Sequence, residues 1–261
     1  MRRKGPRPTQ RERHAQILAL LRHEGTVRIA TLASAFDITT ETARRDLDEL
    51  AASGALKRTY GGAAGRSLID EPGMGVRSRT NAVERAAIAR ASARLVEAGD
   101  ALMIDGGSTT RIFAQTLAAR DLRLTVVTNC LPVAQALGAS LHCRTMLCSG
   151  DFVAREDGVY GSDATDFIRR FKADKAFIGA GGVTTDGVTD ADSQGAAIKR
   201  AMIECSEKTI LLVDSSKYDV VQFERVCSLE DIDELVSEAS PPKRLAASLK
   251  AAEVRVVIAA R

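Results

Sequence analysis

From residue 101 to residue 213 the chain alternates short apolar runs with stretches of helical period: 101–105, 110–119, 124–128, 131–138, 145–148, 164–171, 175–178, 196–205 and 209–213. Strands this short and this apolar bury both faces, which requires helices above and below them. The alternation therefore predicts an α/β domain built on a largely parallel sheet. Pro241-Pro242 precede a further helix, and a strand at 254–257 is expected to complete the sheet.

A parallel sheet gathers its ligand-facing loops at the carboxyl ends of its strands. The run Leu102-Met103-Ile104 ends in Asp105-Gly106-Gly107-Ser108-Thr109-Thr110, directly before a helix. Glycines let the backbone turn its N–H groups toward an oxyanion, the hydroxyl residues add donors, and the helix start adds partial positive charge. The loop reads as a phosphate cradle. It has neither the lysine spacing of a nucleotide P-loop nor a GxGxxG pattern, so a small phosphorylated ligand fits better than a nucleotide. The alternative is a capped turn without function. Thr128-Asn129, Ser149-Gly150, Gly179-Ala180-Gly181-Gly182 and Asp214-Ser215-Ser216-Lys217 follow other strands and converge on the same edge, with Lys217 as a charge partner.

The N-terminal part follows a different plan. Residues 11–23 form one apolar helix side ending at Gly25, residues 29–36 form a second short helix, and Asp37-Ile38-Thr39 supply the turn to a third at 40–53, stopped by Gly54. In that third helix Thr39 or Thr40 caps the start, and Ala43, Leu47 and Leu50 face inward. Thr42, Arg44 and Arg45 are left to face a partner. Residues 56–60 alternate like a strand, and Gly61-Gly62 permit the reversal of a wing. A winged helix-turn-helix of this kind places Thr39, Thr40, Thr42, Arg44 and Arg45 against DNA bases or phosphates and Lys57 and Arg58 against the backbone. The alternative is a solvated face in which the arginines pair with Glu41, Asp48 or Glu49.

Charge agrees with this division. Net charge is only +3, yet residues 1–60 carry 12 Lys/Arg against 7 Asp/Glu, and a basic tail at 1–10 holds Arg2, Arg3, Lys4 and Arg7. Phosphate attraction needs such a concentrated face, not a basic whole. The tail runs into Gly5-Pro6-Arg7-Pro8 instead of an apolar stretch, and no segment has membrane-spanning length, so a cytoplasmic protein is expected. Cys130, Cys143, Cys148, Cys205 and Cys227 form no CxxC pair. They read as reduced structural thiols, and neither a metal site nor a cofactor is expected.

Residues 11–63, with the helix-turn-helix at about 27–46, resemble the N-terminal domain of the DeoR family of bacterial transcriptional regulators. The likeness rests on a Gly25-Thr26-Val27 turn, Leu32-Ala33, Phe36, the Thr42-Ala43-Arg44-Arg45-Asp46-Leu47 core, Leu50, Gly54, Leu56, Arg58 and Gly61-Gly62-Ala63; Ala43 stands where the family usually has isoleucine. Residues 64–79 then read as a linker, and 80–261 as the effector-binding and oligomerisation domain. That domain is similar to the family's sensor, whose fold resembles ribose-5-phosphate isomerase. The resemblance implies an effector site at Asp105, Gly106, Gly107, Ser108, Thr109, Thr110, Thr128, Asn129, Gly150 and Lys217, with Asp192 and Lys199 lining it. Ser149 and Gly195 depart from the usual glycine and glutamate. Residues 155–171 look most like the glycerol-3-phosphate regulon repressors.

What the resemblance implies is a homo-oligomeric, non-enzymatic repressor of carbohydrate or glycerol metabolism. Its expected partners are a double-stranded DNA operator and a phosphorylated sugar or polyol, foremost glycerol 3-phosphate. The rival from another class is a sugar-phosphate isomerase-like enzyme with a fused DNA- or protein-binding domain, for which the residues offer no convincing acid/base pair.

Overall fold

The computed structural model describes residues 8–52, 55–65, 68 and 73–260. The expected basic tail, apart from residues 8–10, and the Ser53-Gly54 helix stop lie outside the described residues. The chain divides into two compact units, Met1–Pro72 and Gly73–Arg261.

The first unit contains α1 (Gln10–Glu24), β1 (Thr26–Arg28), α2 (Ile29–Phe36), α3 (Thr40–Ala52), β2 (Lys57–Thr59) and β3 (Gly62–Ala64). Thr9 and Glu12 close a capping box at the start of α1, and Gly25 ends the helix at φ 73°, a conformation that costs glycine least. The Thr39 hydroxyl accepts from the Thr42 N–H at 3.1 Å, so Thr39 is the residue that caps α3. Ile17, Leu32, Phe36, Ala43, Leu47, Leu50 and Leu56 pack into one core. Ala43 is fully buried there, so its small side chain is accommodated by close helix packing.

Two sequence expectations are corrected in this unit. Thr26 and Val27 belong to a strand, not a turn: β1 pairs antiparallel with β3, Val27 opposite Ala63. The wing reverses at Tyr60-Gly61, with Gly61 at φ 77°, while Gly62 lies within β3. Glycine at 62 answers to close approach, since a Cβ there would stand 2.0 Å from the Val27 carbonyl oxygen. The charged residue Asp46 lies buried at the α1–α3 contact, where both carboxylate oxygens accept from Arg13, at 2.7 and 2.9 Å.

The second unit runs through α4 (Met74–Arg77), α5 (Ala82–Ala93), β4 (Ala101–Ile104), α6 (Ser108–Ala118), β5 (Leu124–Thr128), α7 (Leu131–Gly138), β6 (Cys143–Leu147), β7 (Asp151–Val153), β8 (Gly158–Tyr160), α8 (Ser162–Arg169), β9 (Ala173–Ile178), β10 (Gly182–Thr184), β11 (Gly187–Asp190), α9 (Ser193–Glu204), β12 (Ser206–Leu212), β13 (Glu224–Cys227), β14 (Glu234–Ser237), α10 (Lys243–Ala251) and β15 (Arg255–Ile258). Seven strands form one sheet in the order β15-β14-β12-β9-β4-β5-β6, and every pairing is parallel.

Successive residues of each strand serve opposite faces, as the strand period requires. Leu102, Ile104, Val126 and Phe177 pack with Ile88, Phe113 and Leu137 from α5, α6 and α7. Met103, Val127, Ala176 and Ile178 pack with Ile168, Ala201 and Leu249 from α8, α9 and α10. Phe113 stacks on Phe177 with ring centroids 4.4 Å apart, tying α6 to the sheet centre. Four of the five cysteines are buried and all five are free.

From β4 the chain proceeds outward through β5 and β6, then returns to the other side of β4 and proceeds through β9, β12, β14 and β15. The switch point of the sheet is therefore the gap between β4 and β9, where a doubly wound sheet opens a crevice. The linker expected at 64–79 is shortened at both ends. Ala64 belongs to β3. Residues 74–77 form a helix of the second unit, with the Met74 N–H donating to the Arg155 carbonyl and Arg77 paired with Glu156.

Breaking a buried ion pair by removing one partner costs about 3–5 kcal/mol, whereas an exposed pair contributes about 0–1 kcal/mol. Asp46→Ala is thus expected to accelerate hydrogen exchange across α1–α3 by two or more orders of magnitude, while Asp48→Ala, which removes the exposed partner of Arg58, changes it little. Equal effects of the two substitutions would contradict this assignment.

Candidate functional site

Asp105 follows β4 directly and is fully buried. Its carboxylate accepts the Gly179 N–H at 3.2 Å from the end of β9, so the two strands flanking the switch point are joined across the gap. The Lys199 ammonium, from α9, stands 3.1 Å from Asp105 and 2.9 Å from Asp190, the last residue of β11. Burial pushes the Asp105 carboxyl up, and Lys199 opposes that shift. Burial alone would lower the Lys199 ammonium, but Asp190 and Asp105 override it and hold the lysine charged.

The loop beyond Asp105 leads into α6 through Gly107, which has no side chain to cap the helix. The first-turn N–H groups of Ser108, Thr109 and Thr110 are left for a ligand or solvent, and all three side chains are buried. The Thr110 hydroxyl donates back to the Gly107 carbonyl at 3.1 Å, which fixes the turn. A helix start of this kind, set at the switch point, presents unpaired donors of the sort that suit an anion.

Thr128 and Asn129, at the end of β5, join this loop. A Cβ on Gly106 would lie 3.5 Å from Asn129 Nδ2 and 3.4 Å from the Tyr160 hydroxyl. The Thr128 hydroxyl accepts from the Cys130 N–H at 3.0 Å and is thereby turned into the backbone. Asn129 Nδ2 donates to the Val159 carbonyl at 3.3 Å, and the Val159 N–H donates to the Asn129 carbonyl at 2.7 Å. Burial pushes the neighbouring Cys130 thiol up to about 11, which leaves it protonated and inert.

The other expected positions fall differently. Gly150, at φ 134°, would place a Cβ 2.5 Å from the Tyr160 carbonyl, so glycine there answers first to packing of the β7–β8 hairpin. Asp192 is the exposed N-cap of α9, accepting from the Gly195 N–H at 2.9 Å; Asp190, two residues earlier, is the carboxylate that meets Lys199. A Cβ on Gly195 would come within 3.7 Å of Lys199 Nζ, so the position where the family favours glutamate borders this cluster. Lys217 closes a short 3-10 turn after β12, one loop beyond Gly179, and its N–H donates to the Asp214 carbonyl at 3.0 Å.

Asp214 was expected as part of that loop but not as its anchor. It is buried, pairs with Arg85 at 3.2 Å, and accepts from Asn81 Nδ2 at 3.0 Å and from the Ser216 N–H at 3.1 Å. Arg85 carried no sequence signal as a site neighbour, and the pairings of Asp190 with Lys199 and of Asp214 with Arg85 depend on the sheet topology that brings them to one edge.

In the first unit, Thr40, Arg44 and Arg45 are exposed on α3, and Thr42, partly exposed, shares a hydrogen bond with Thr39 at 2.9 Å. Arg44 pairs with Glu41 at 2.9 Å, and Arg58 pairs with Asp48 at 2.8 Å and donates to the Gly62 carbonyl. Arg45 makes no hydrogen bond or ion pair among the described residues. Lys57 is exposed on the wing, and Tyr60 stands fully exposed at its tip.

Residues 80–239 match the family model of the DeoR C terminal sensor domain, and residues 13–67 match that of the DeoR-like helix-turn-helix domain. The chain belongs to the DeoR family. It is 33% identical to the glycerol-3-phosphate regulon repressor of Escherichia coli over 89% of this chain and 92% of that one. It is 30% identical to the uncharacterized HTH-type transcriptional regulator YulB of Bacillus subtilis over 94% of each chain. Identity to the transcriptional repressor AccR of Agrobacterium fabrum is 32% over 87% of this chain and 89% of that one. A ribose 5-phosphate isomerase A from Methanocaldococcus jannaschii overlays 53% of this chain and 55% of its own at TM-score 0.40 and 17% identity. The relatives named by sequence are regulators. Among the described residues of this DeoR-family protein, no cluster of His, Cys, Asp or Glu is arranged to hold a metal, and no helix is long and apolar enough to cross a membrane.

Lys199→Met would leave Asp105 and Asp190 buried without their cation. A carboxyl whose folded pKa is raised favours the folded state at low pH and loses that contribution as pH rises through the folded value. The Lys199→Met melting temperature is therefore expected to fall below that of the parent most at pH 8 and least near pH 5. A deficit independent of pH would contradict the arrangement.

Proposed function

We propose that this protein is a repressor of carbohydrate or glycerol metabolism genes, released from its operator by a phosphorylated sugar or polyol, with glycerol 3-phosphate as the first candidate. The observation that carries the sensor half is the uncapped start of α6 at the sheet's switch point, joined to Asn129 and braced by Asp105 and Lys199. The phosphate would be held by the first-turn N–H groups of α6 and the hydroxyls of Ser108 and Thr109, with Lys217 supplying charge from the neighbouring loop. Lys199 is already engaged by two carboxylates, so its role is to fix the Asp105 loop. Gly150 and Asp192 would shape the rim.

In the DNA-binding half, α3 enters the major groove. Arg45 is the leading candidate for base contact, Thr40, Thr42 and Arg44 flank it, and Lys57 and Arg58 hold phosphates from the wing, with Thr39 as the cap that orients the helix. A homo-oligomer with paired readers multiplies the affinity of a single helix and makes it sensitive to how the readers are presented.

The route between the halves is the start of the second unit. Arg85 donates to the Arg77 and Thr80 carbonyls and pairs with Asp214, Asn81 bonds Asp214, and Arg77 pairs with Glu156. The segment that follows the DNA-binding unit is thus pinned to two loops of the ligand-facing edge. A ligand that rearranges those loops would alter the tether.

Two outcomes test the proposal. Glycerol 3-phosphate or another sugar or polyol phosphate should raise the melting temperature progressively with concentration, as binding to the folded state requires; no shift with any of them would contradict the sensor half. Arg45→Ala should weaken binding to the protein's own upstream DNA by about tenfold or more, and relax its sequence preference, given about 1–3 kcal/mol per good base contact. Unchanged affinity would contradict the placement of α3.

A further inference from the structure

Among the described residues, two polar groups beside the cradle make no hydrogen bond. Asn129 is 1% exposed, and its Oδ1 is buried without a hydrogen bond. Its orientation is fixed, because Nδ2 donates to the Val159 carbonyl; turning the amide over would set two acceptors against each other. The Tyr160 hydroxyl also makes no hydrogen bond among the described residues, although the ring is buried and packed over Gly158, where a Cβ would stand 3.0 Å from the hydroxyl oxygen. Both side chains meet Gly106, the second residue of the cradle loop, whose missing Cβ leaves a gap between them.

A buried acceptor without a donor costs free energy until something donates to it. A phosphate dianion carries only acceptors, so it can satisfy the α6 N–H groups but not Asn129 Oδ1. The missing donor is an O–H or N–H on the part of the ligand next to the phosphate. Resting on the reading of the α6 cradle as a phosphate site, we infer that Asn129 and Tyr160 form a hydroxyl-reading subsite that selects polyol and sugar phosphates over phosphates lacking an adjacent hydroxyl. Asn129 Oδ1 accepts from a ligand hydroxyl, and the Tyr160 hydroxyl exchanges a hydrogen bond with the same or the neighbouring oxygen. Tyr160 lies in the core cluster that also contains Ala196 and Ala201, so its position is set by packing, not by the ligand.

Calorimetric titration of the full chain tests this with matched pairs: glycerol 3-phosphate against propyl phosphate, and ribitol 5-phosphate against pentyl phosphate. The parent protein should bind at least one polyol phosphate about tenfold or more tighter than its alkyl partner, as one or two net hydrogen bonds allow. Tyr160→Phe, which keeps the ring, should close much of that gap while changing alkyl phosphate affinity less than about twofold; Asn129→Ala should close it likewise. Equal binding of both members of each pair by the parent would overturn the subsite and leave the cradle standing, and is also the signature of a buried water filling the gap. Equal weakening of both members by Tyr160→Phe would reduce the tyrosine to packing and overturn its role. Binding of none of the four compounds would defeat the cradle reading and this one with it.

Discussion

Lys199 is 6% exposed and holds Asp105 and Asp190 within 3.1 Å, so three charges brought by α9, the end of β4 and the end of β11 are buried together at the centre of the sheet edge. None could be buried alone at tolerable cost, and removing one would strand the others. The cluster joins the small antiparallel sheet of β10, β11 and β13 to the switch point of the parallel sheet. It also fixes the loop that starts α6. Through the Gly179 N–H, Asp105 ties the loop after β4 to the loop after β9 at the switch point. Under the proposed function, the start of α6 would be preorganised for an anion, with its donors in place before any ligand arrives.

The same edge of the sheet carries side-chain links to the segment entering the sensor unit. Asp214 binds Arg85 and Asn81 while holding the turn that bears Lys217, and Glu156 binds Arg77 two residues before the strand that crosses Asn129. Ligand and tether thus address the same loops. For an effector to release DNA, it must prefer the arrangement that presents the readers poorly; tight binding to both arrangements would change nothing.

Much of this was legible in the sequence. The helix-turn-helix at Ile29–Phe36 and Thr40–Ala52 announced itself through apolar spacing and the Thr39 cap, and β4, β5, β9 and β12 through apolar runs ended by polar loops. What stayed hidden depends on distant partners. β1 is three residues long and exists because β3 pairs with it from across the unit. Asp46 follows two arginines on a charged helix and nothing next to it in sequence indicates burial, yet Arg13 from another helix draws it inside. Besides Asp105, the carboxylate that meets Lys199 is Asp190, while Asp192, expected with Lys199 to line the pocket, caps α9. The two are chemically alike, and only the end of β11 decides which points inward and which caps α9. Tyr160 falls in the family-like segment 155–171, but its place beside Gly106 was hidden, because Gly106 follows a different strand.

Release of DNA by an effector requires that the α6 cradle and the α3 reader be coupled, and coupling of binding free energies is reciprocal. Measuring glycerol 3-phosphate affinity by titration calorimetry, with and without saturating upstream DNA, reads it directly, and another phosphorylated polyol serves if it binds better. The account predicts that DNA weakens effector binding by the same factor by which the effector weakens DNA binding, and that Asp214→Ala reduces both factors together. Effector affinity unchanged by DNA, with each ligand still bound by the protein alone, would contradict it.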